Sequence, residues 1–365
     1  MVLSALPCAT SSTHRLLTLA SVLAFLAAVA PTVSAASHGD IPCPADPFAD
    51  PRNDPCNGLR YIASNALTAV AFTLIVLSGL IQVYSMFRWG AKWMLCMVIG
   101  EFAFALGIGC RFGLTLQPDS KAIYIVEYLF VVLSPCAFIA ADYILLGRLA
   151  RHLHCEHHLF VPANRVMAIF LTSDVITFLI QAAGGGISIG ANDTKGAKLG
   201  SNVFLAGLAI QLLSFLLFTC LFIVFVWRVR KYEREVWGMD GGRKWWRDWR
   251  ALAVAVAFSC VGILIRSVYR TVELSQGFEG AIATNEGFFY GLDTLPLWIA
   301  VVVYCPFWPG RFIPTFSSVS VSAPAPMLVN DEEREGRESS GTVRVENENE
   351  EKGKGEEGSR EGGVV

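Results

Sequence analysis

The sequence predicts an all-α membrane protein that crosses the bilayer seven times, with its N-terminus outside and its C-terminus in the cytosol. Hydrophobic residues make up 53% of the 365 residues and charged residues only 16%, whereas soluble proteins carry about 25% charged residues. The charges are also concentrated in short loops and at the two ends of the chain. Seven apolar stretches lie between them, each near the roughly 20 residues that a membrane-spanning helix needs.

Residues 1–36 are predicted to be a cleavable secretory signal peptide. A short polar region precedes an apolar run from Leu16 to Ala30, and small residues then fit cleavage near Ala35. An uncleaved anchor helix is the alternative, but Pro31 and the shortness of the apolar run disfavour a spanning segment. Cleavage would expose the next segment to the outside of the cell.

Residues 37–61 are predicted to form an extracellular N-terminal segment, because they are rich in Pro, Asp and Asn. Cys43 and Cys56 both lie in this segment, which faces an oxidising compartment. We therefore predict a disulfide between them. Two free thiols are the alternative.

Residues 62–308 contain the predicted seven-helix transmembrane domain. Helices are expected because backbone polar groups inside a bilayer must be satisfied within the segment itself. The seven stretches extend over residues 62–85, 93–114, 122–147, 165–188, 200–227, 250–271 and 287–307.

The loops predict the orientation of the domain. Taken together, the first, third and fifth loops carry more Lys and Arg than the second and fourth, and the sixth is acidic. The positive-inside rule therefore places the odd-numbered loops in the cytosol. The positive charge of the fifth loop also predicts that this loop binds anionic lipid of the inner leaflet. Alternatively, the charge only sets the orientation of the protein in the membrane. Asn192 begins a glycosylation sequon in the outer fourth loop, and residues 309–365 are predicted to be a disordered, acidic cytosolic tail.

Polar residues inside the spans indicate functional positions, because a charge at the bilayer centre costs at least ~2.5–3.5 kcal/mol. Asp174, Gln211 and Asp293 fall near the middle of their stretches, and Asp174 and Gln181 lie seven residues apart on one helix face. We predict that these four residues form a polar seam that contacts a substrate or its coupling ion. Adhesion between helices is the alternative.

A second polar group is predicted toward the outer ends of the sixth and seventh spans. Arg266, Arg270 and Glu273 are spaced four and three residues apart, hence on one helix face, and Glu286 lies at a similar depth. These residues form a predicted outer polar cluster, or alternatively neutralise one another. Glu101 and Arg111 are ten residues apart, about 80° out of register, so they need not share a face.

These positions fall in motifs that resemble the fungal lipid-translocating exporter family. The motifs are found in five spans. Their residues include Pro135, Asp142, Tyr143 and Arg148 in the third; Asp174, Gln181 and Gly184-Gly185-Gly186 in the fourth; Gly207 and Gln211 in the fifth; Arg266, Arg270 and Glu273 in the sixth; and Glu286, Tyr290, Asp293 and Pro296 in the seventh. The second span departs from the family pattern, because it lacks the Tyr that usually follows its Gly.

The resemblance implies a plasma-membrane protein that exports or translocates amphiphilic lipids, such as sphingoid long-chain bases, and confers resistance to toxic amphiphiles. A seven-span receptor or membrane stress sensor, signalling through its cytosolic loops, is the alternative. No catalytic, nucleotide-binding or nucleic-acid-binding motif is evident, so neither an enzyme nor a cofactor is predicted. The His-rich segment from His152 to His158 is compressed and has no second ligand group at a standard spacing, so no metal site is predicted. The oligomeric state is not indicated.

Overall fold

The computed structural model describes residues 46–313, except residues 55, 192, 240–247, 277–279 and 281. The chain divides into two units, Met1–Thr315 and Phe316–Val365, and every helix below belongs to the first. The predicted signal peptide, Asn192, most of the acidic tail and the centre of the basic fifth loop lie outside the described residues. Cys56 is buried and disulfide-bonded. Its predicted partner, Cys43, lies outside the described residues, so the pairing of Cys43 with Cys56 stays a prediction.

The described part of the chain is all-helical and contains six helices long and apolar enough to cross a membrane. Many of their large apolar side chains are exposed, as expected for surfaces that face lipid. The all-α, multi-pass membrane fold is therefore confirmed. The helices, which we label α1 to α6, are Asn65–Trp89, Leu95–Leu116, Lys121–His152, Ala163–Gly190, Thr194–Tyr232 and Trp249–Ser275.

The seventh apolar stretch is helical but irregular. It begins as the α-helical turn Glu286–Phe288, continues as the π-helix Phe289–Thr294 and ends as the α-helix Leu295–Val302. We label residues 286–302 helix α7. Because α7 is shorter and interrupted, it is not among the six candidate spans, and the count of seven crossings and the orientation of the termini stay predictions. Single π-helical turns are frequent at functional sites.

Glycines allow α4 and α5 to pack with their backbones in contact. A Cβ atom at Gly184 would lie 2.4 Å from the backbone nitrogen of Phe204, and one at Gly200 would lie 2.3 Å from that of Ser188. Both distances are too short for any side chain. Small residues at helix contacts are typical of membrane bundles, where close backbone approach increases van der Waals attraction.

We expect Gly200→Ala to lower the free energy of unfolding by about 1–3 kcal/mol, because the new methyl group would push α4 and α5 apart. The change would be measured as a lower midpoint of thermal unfolding in detergent. Gly190→Ala is the control, since nothing lies within 4 Å of a Cβ at that position. Equal midpoints for the two variants would contradict the close packing of α4 on α5.

Candidate functional site

A buried set of ion pairs joins α6 to α7. Arg266 is paired with Asp293 and also donates from Nη2 to the backbone oxygen of Val131, at 2.6 Å. Arg270 donates from Nε to Oδ1 of Asp293 at 2.5 Å and from Nη1 to Oε2 of Glu273 at 3.0 Å. Asp293 is fully buried and lies in the π-helical part of α7. One carboxylate therefore holds two arginines of the neighbouring helix.

A second buried ion pair lies beside it, between α2 and α3. Arg111 donates from Nη1 to Oε1 of Glu127 at 3.0 Å and from Nη2 to the hydroxyl of Tyr61 at 2.6 Å. The same guanidinium lies 4.1 Å from the ring centroid of Phe289 and 4.0 Å from Oε1 of Glu286. A buried guanidinium with two acidic neighbours and aromatic rings around it is held rigidly.

We call these seven charged residues the arginine–carboxylate network: Arg111, Glu127, Arg266, Arg270, Glu273, Glu286 and Asp293. Its members lie toward the end of the helices that carries the predicted outer loops. Three arginines face four carboxylates. Burial raises the pKa of Tyr61 to about 12, so this phenol stays neutral and adds no further charge. The network therefore contains one more carboxyl group than guanidinium groups.

Two clefts meet at this network. The polar cleft is partly open to solvent, and its lining includes Tyr61, Arg111, Glu127, Tyr128, Arg270 and Glu273. The apolar cleft lies between α3, α5 and α6, and its lining includes Val132, Ile139, Phe204, Leu208 and Leu212. Tyr128 and Arg270 line both clefts. A charged space therefore adjoins a mostly apolar one.

The structure divides the predicted polar seam into three separate groups. Gln181 donates to Gln211 at 2.8 Å, and Tyr143 donates to Oδ2 of Asp174 at 2.9 Å. Asp293, by contrast, is bound to Arg266 and Arg270. Depth and helix face do not reveal which helices adjoin, and α7 packs on α6 while α4 packs on α5. Asp293 therefore belongs with the predicted outer polar cluster, together with Glu273 and, through Arg111, Glu286.

The third-span motif takes part in several different contacts. Pro135 lines the apolar cleft, and Arg148 lies 4.8 Å from the ring centroid of Trp93. Asp142 is fully buried and accepts hydrogen bonds from Ser259 at 2.8 Å and from Tyr304 at 2.6 Å. It therefore links α3 to α6 and to the residues that follow α7.

Sequence reasoning missed the pairing of Arg111 with Glu127. Glu101, the other charge in the second span, accepts a hydrogen bond from Ser78 of α1 instead, so the two residues occupy separate environments, as their spacing suggested. The available signal was a pair of opposite charges near the outer ends of neighbouring spans. Tyr61 gave no signal, since it precedes the first span.

The fold and the network define a multi-pass helical membrane protein with buried charges and two adjoining clefts in its bundle. Residues 97–315 match the family model described as "RTA1 like protein", and this chain belongs to that family. The match contains every member of the arginine–carboxylate network. The expected resemblance to fungal lipid-translocating exporters is therefore confirmed at the level of the family.

Three relatives from Saccharomyces cerevisiae illustrate the range of the family. Protein RTA1 is 33% identical over 212 residues, which are 58% of this chain and 64% of the relative. Protoporphyrin uptake protein 1 is 31% identical over 188 residues, or 52% and 59%. Sphingoid long-chain base transporter RSB1 is 29% identical over 197 residues, or 45% and 50%. The chain thus matches less than two thirds of the length of each relative. No solved structure matches it.

Proposed function

We propose that this protein moves amphiphilic lipids with a cationic headgroup, such as sphingoid long-chain bases, across or out of the plasma membrane, and so confers resistance to toxic amphiphiles. The observation that carries this proposal is the meeting of the polar and apolar clefts at Tyr128 and Arg270. An amphiphile has the same division, with a charged head and an apolar chain. The names of two relatives, a sphingoid long-chain base transporter and a protoporphyrin uptake protein, also support transport of amphiphiles.

The charge balance of the arginine–carboxylate network, four of whose members line the polar cleft, favours an ammonium headgroup. Four carboxylates share three guanidinium groups, so one further cation would neutralise the network. Glu273 has 16% of its side chain exposed, and its ion pair with Arg270 uses Oε2. Tyr124 and Tyr128, whose rings stack with centroids 6.1 Å apart, supply aromatic faces beside it. Such faces attract ammonium groups through the ring quadrupole.

The apolar cleft is suited to the hydrocarbon chain. Its apolar lining residues on α3 and α5 include Val132, Ile139, Phe204, Leu208 and Leu212, and burial of a chain against them is favoured by about 0.8 kcal/mol per methylene group. On this proposal, Gln211 and Pro135 contact the substrate from the cleft wall, whereas Asp174 and Gln181 support the helix contacts behind it. The basic fifth loop would hold the cytosolic face against anionic lipid.

Blocking the apolar cleft should remove most of the transport. We expect Leu212→Trp to lower the rate of transbilayer movement of a labelled long-chain base strongly, because the indole would fill the space that the chain needs. The rate would be measured with purified protein in lipid vesicles. Leu213→Trp is the matched control, since the adjacent side chain is 56% exposed on the outer surface of α5.

Two results would contradict the proposal. One is equal transport by the two Trp variants at equal amounts of folded protein. The other is a parent protein that moves no long-chain base in vesicles, which would favour the receptor or stress-sensor interpretation.

A further inference from the structure

A group of three potential metal ligands lies away from the clefts, at the opposite end of the bundle. His157 and His158 belong to a short 3₁₀ turn after α3, and Glu233 directly follows α5. We propose that these three residues bind one divalent transition-metal ion of the zinc type. The sequence alone predicted no metal here, because Glu233 is 75 residues away from His158 and only the fold brings it near.

The donor atoms have the spacing of a metal site. Nε2 of His157 lies 3.4 Å and Nε2 of His158 lies 3.2 Å from the same oxygen, Oε1 of Glu233. The ligand atoms all lie within 4.8 Å of one another. In a tetrahedral zinc site with bonds of about 2.0–2.2 Å, neighbouring donor atoms are about 3.3–3.5 Å apart. The two observed distances are therefore close to those of a formed site, and small side-chain movements would complete it.

Charge also favours a metal over a simple ion pair. The two imidazole rings have centroids only 4.0 Å apart, so two protonated rings would repel each other strongly at this distance. Arg228 adds a further cation, since its Nη1 donates to the backbone oxygen of His158 at 3.2 Å. A metal ion binds the neutral imidazoles and the carboxylate together, and so allows both rings to face one oxygen.

The ligand set indicates the class of metal. Two imidazoles and one carboxylate are typical of zinc sites that keep a fourth position open for water, whereas magnesium and calcium prefer oxygen ligands alone. His157 has 61% of its side chain exposed, so solvent can reach the open position. His158 also stacks on Tyr232, with ring centroids 5.9 Å apart, which fixes one ligand on α5. A bound ion would tie the third loop to the end of α5.

The test is metal binding by the purified full-length protein, prepared without a histidine tag. Titration with Co²⁺ should give one equivalent of binding and the strong visible absorption of a four- or five-coordinate site, and Zn²⁺ should displace the Co²⁺. Loss of a residue that only supports a metal ligand weakens metal binding by about 10–100-fold. His158→Gln and Glu233→Gln each remove a ligand itself, so each should weaken binding by more than that. His154→Gln and Glu156→Gln, which change neighbours in the same loop, should leave the affinity unchanged.

Absence of Co²⁺ binding, or only the weak absorption of octahedral Co²⁺, in the parent protein would overturn the proposal without reference to any variant. Unchanged affinity in folded His158→Gln and Glu233→Gln proteins would also overturn it, because the metal would then bind elsewhere. Since the readout is metal binding, it is independent of whether the protein transports long-chain bases.

Discussion

Asp293→Asn is expected to lower the free energy of unfolding by about 3–5 kcal/mol, because it leaves two buried arginines without their shared carboxylate. Arg266 and Arg270 are almost completely buried, and both bind Asp293. An uncompensated guanidinium inside a membrane bundle can be relieved only by admitting water or by local unfolding. We therefore expect reduced surface abundance in cells and a lower midpoint of thermal unfolding in detergent.

Asp174→Asn is the matched control for this variant. Asp174 is also buried, but its contact is a hydroxyl, that of Tyr143 at 2.9 Å. An asparagine oxygen can accept the same bond, so the expected loss is about 1 kcal/mol or less. Equal destabilisation by Asp293→Asn and Asp174→Asn would show that the arginines do not depend on Asp293.

The second large effect is expected from the pair Arg111 and Glu127. Arg111→Met alone should cost about 3–5 kcal/mol, because Glu127 would remain as an unpaired buried charge. Arg111→Met combined with Glu127→Leu should recover most of that loss, because a buried ion pair can often be replaced by apolar side chains of similar volume. Unfolding of the single and double variants in detergent would measure both changes.

An exposed ion pair in the same protein supplies the control. Arg151 and Glu156 lie 3.3 Å apart, but their side chains are 50% and 51% exposed. The equivalent double change there should alter stability by only about 0–1 kcal/mol. If Arg111→Met lowered the free energy of unfolding by a similarly small amount, the buried Glu127 would not depend on its ion pair with Arg111.

The Arg111 and Glu127 double variant also distinguishes structural from functional roles of the network. If the polar cleft binds a cationic headgroup, the folded double variant should transport long-chain bases poorly, since two of the four charged residues that line the cleft are gone. Transport at the parent rate would show that Arg111 and Glu127 only hold the helices together. The same vesicle measurement thus serves the Leu212→Trp and Arg111 experiments.

The sequence by itself determined the fold class, the family and much of the membership of the outer cluster. Apolar stretches near 20 residues, separated by charged loops, admit few structures other than membrane helices. The spacing of Arg266, Arg270 and Glu273 placed them on one face of α6, because helical periodicity relates residues within a single helix. The family was inferred from the resemblance of the motifs in five spans. The fold class and the helix face depend only on local geometry and on the cost of charge in hydrocarbon, and the structure agrees with them.

Only the tertiary structure decided which helices adjoin and therefore which polar groups meet. Asp174 and Asp293 have similar depths, yet one meets a tyrosine and the other two arginines. Arg111 and Glu127 lie on different helices, and His158 precedes α4 whereas Glu233 follows α5. Helix packing, including the glycine contact between α4 and α5, decides whether such residues meet. Periodicity fixes the face of a helix, but the neighbour of that face depends on side-chain volumes along every helix of the bundle.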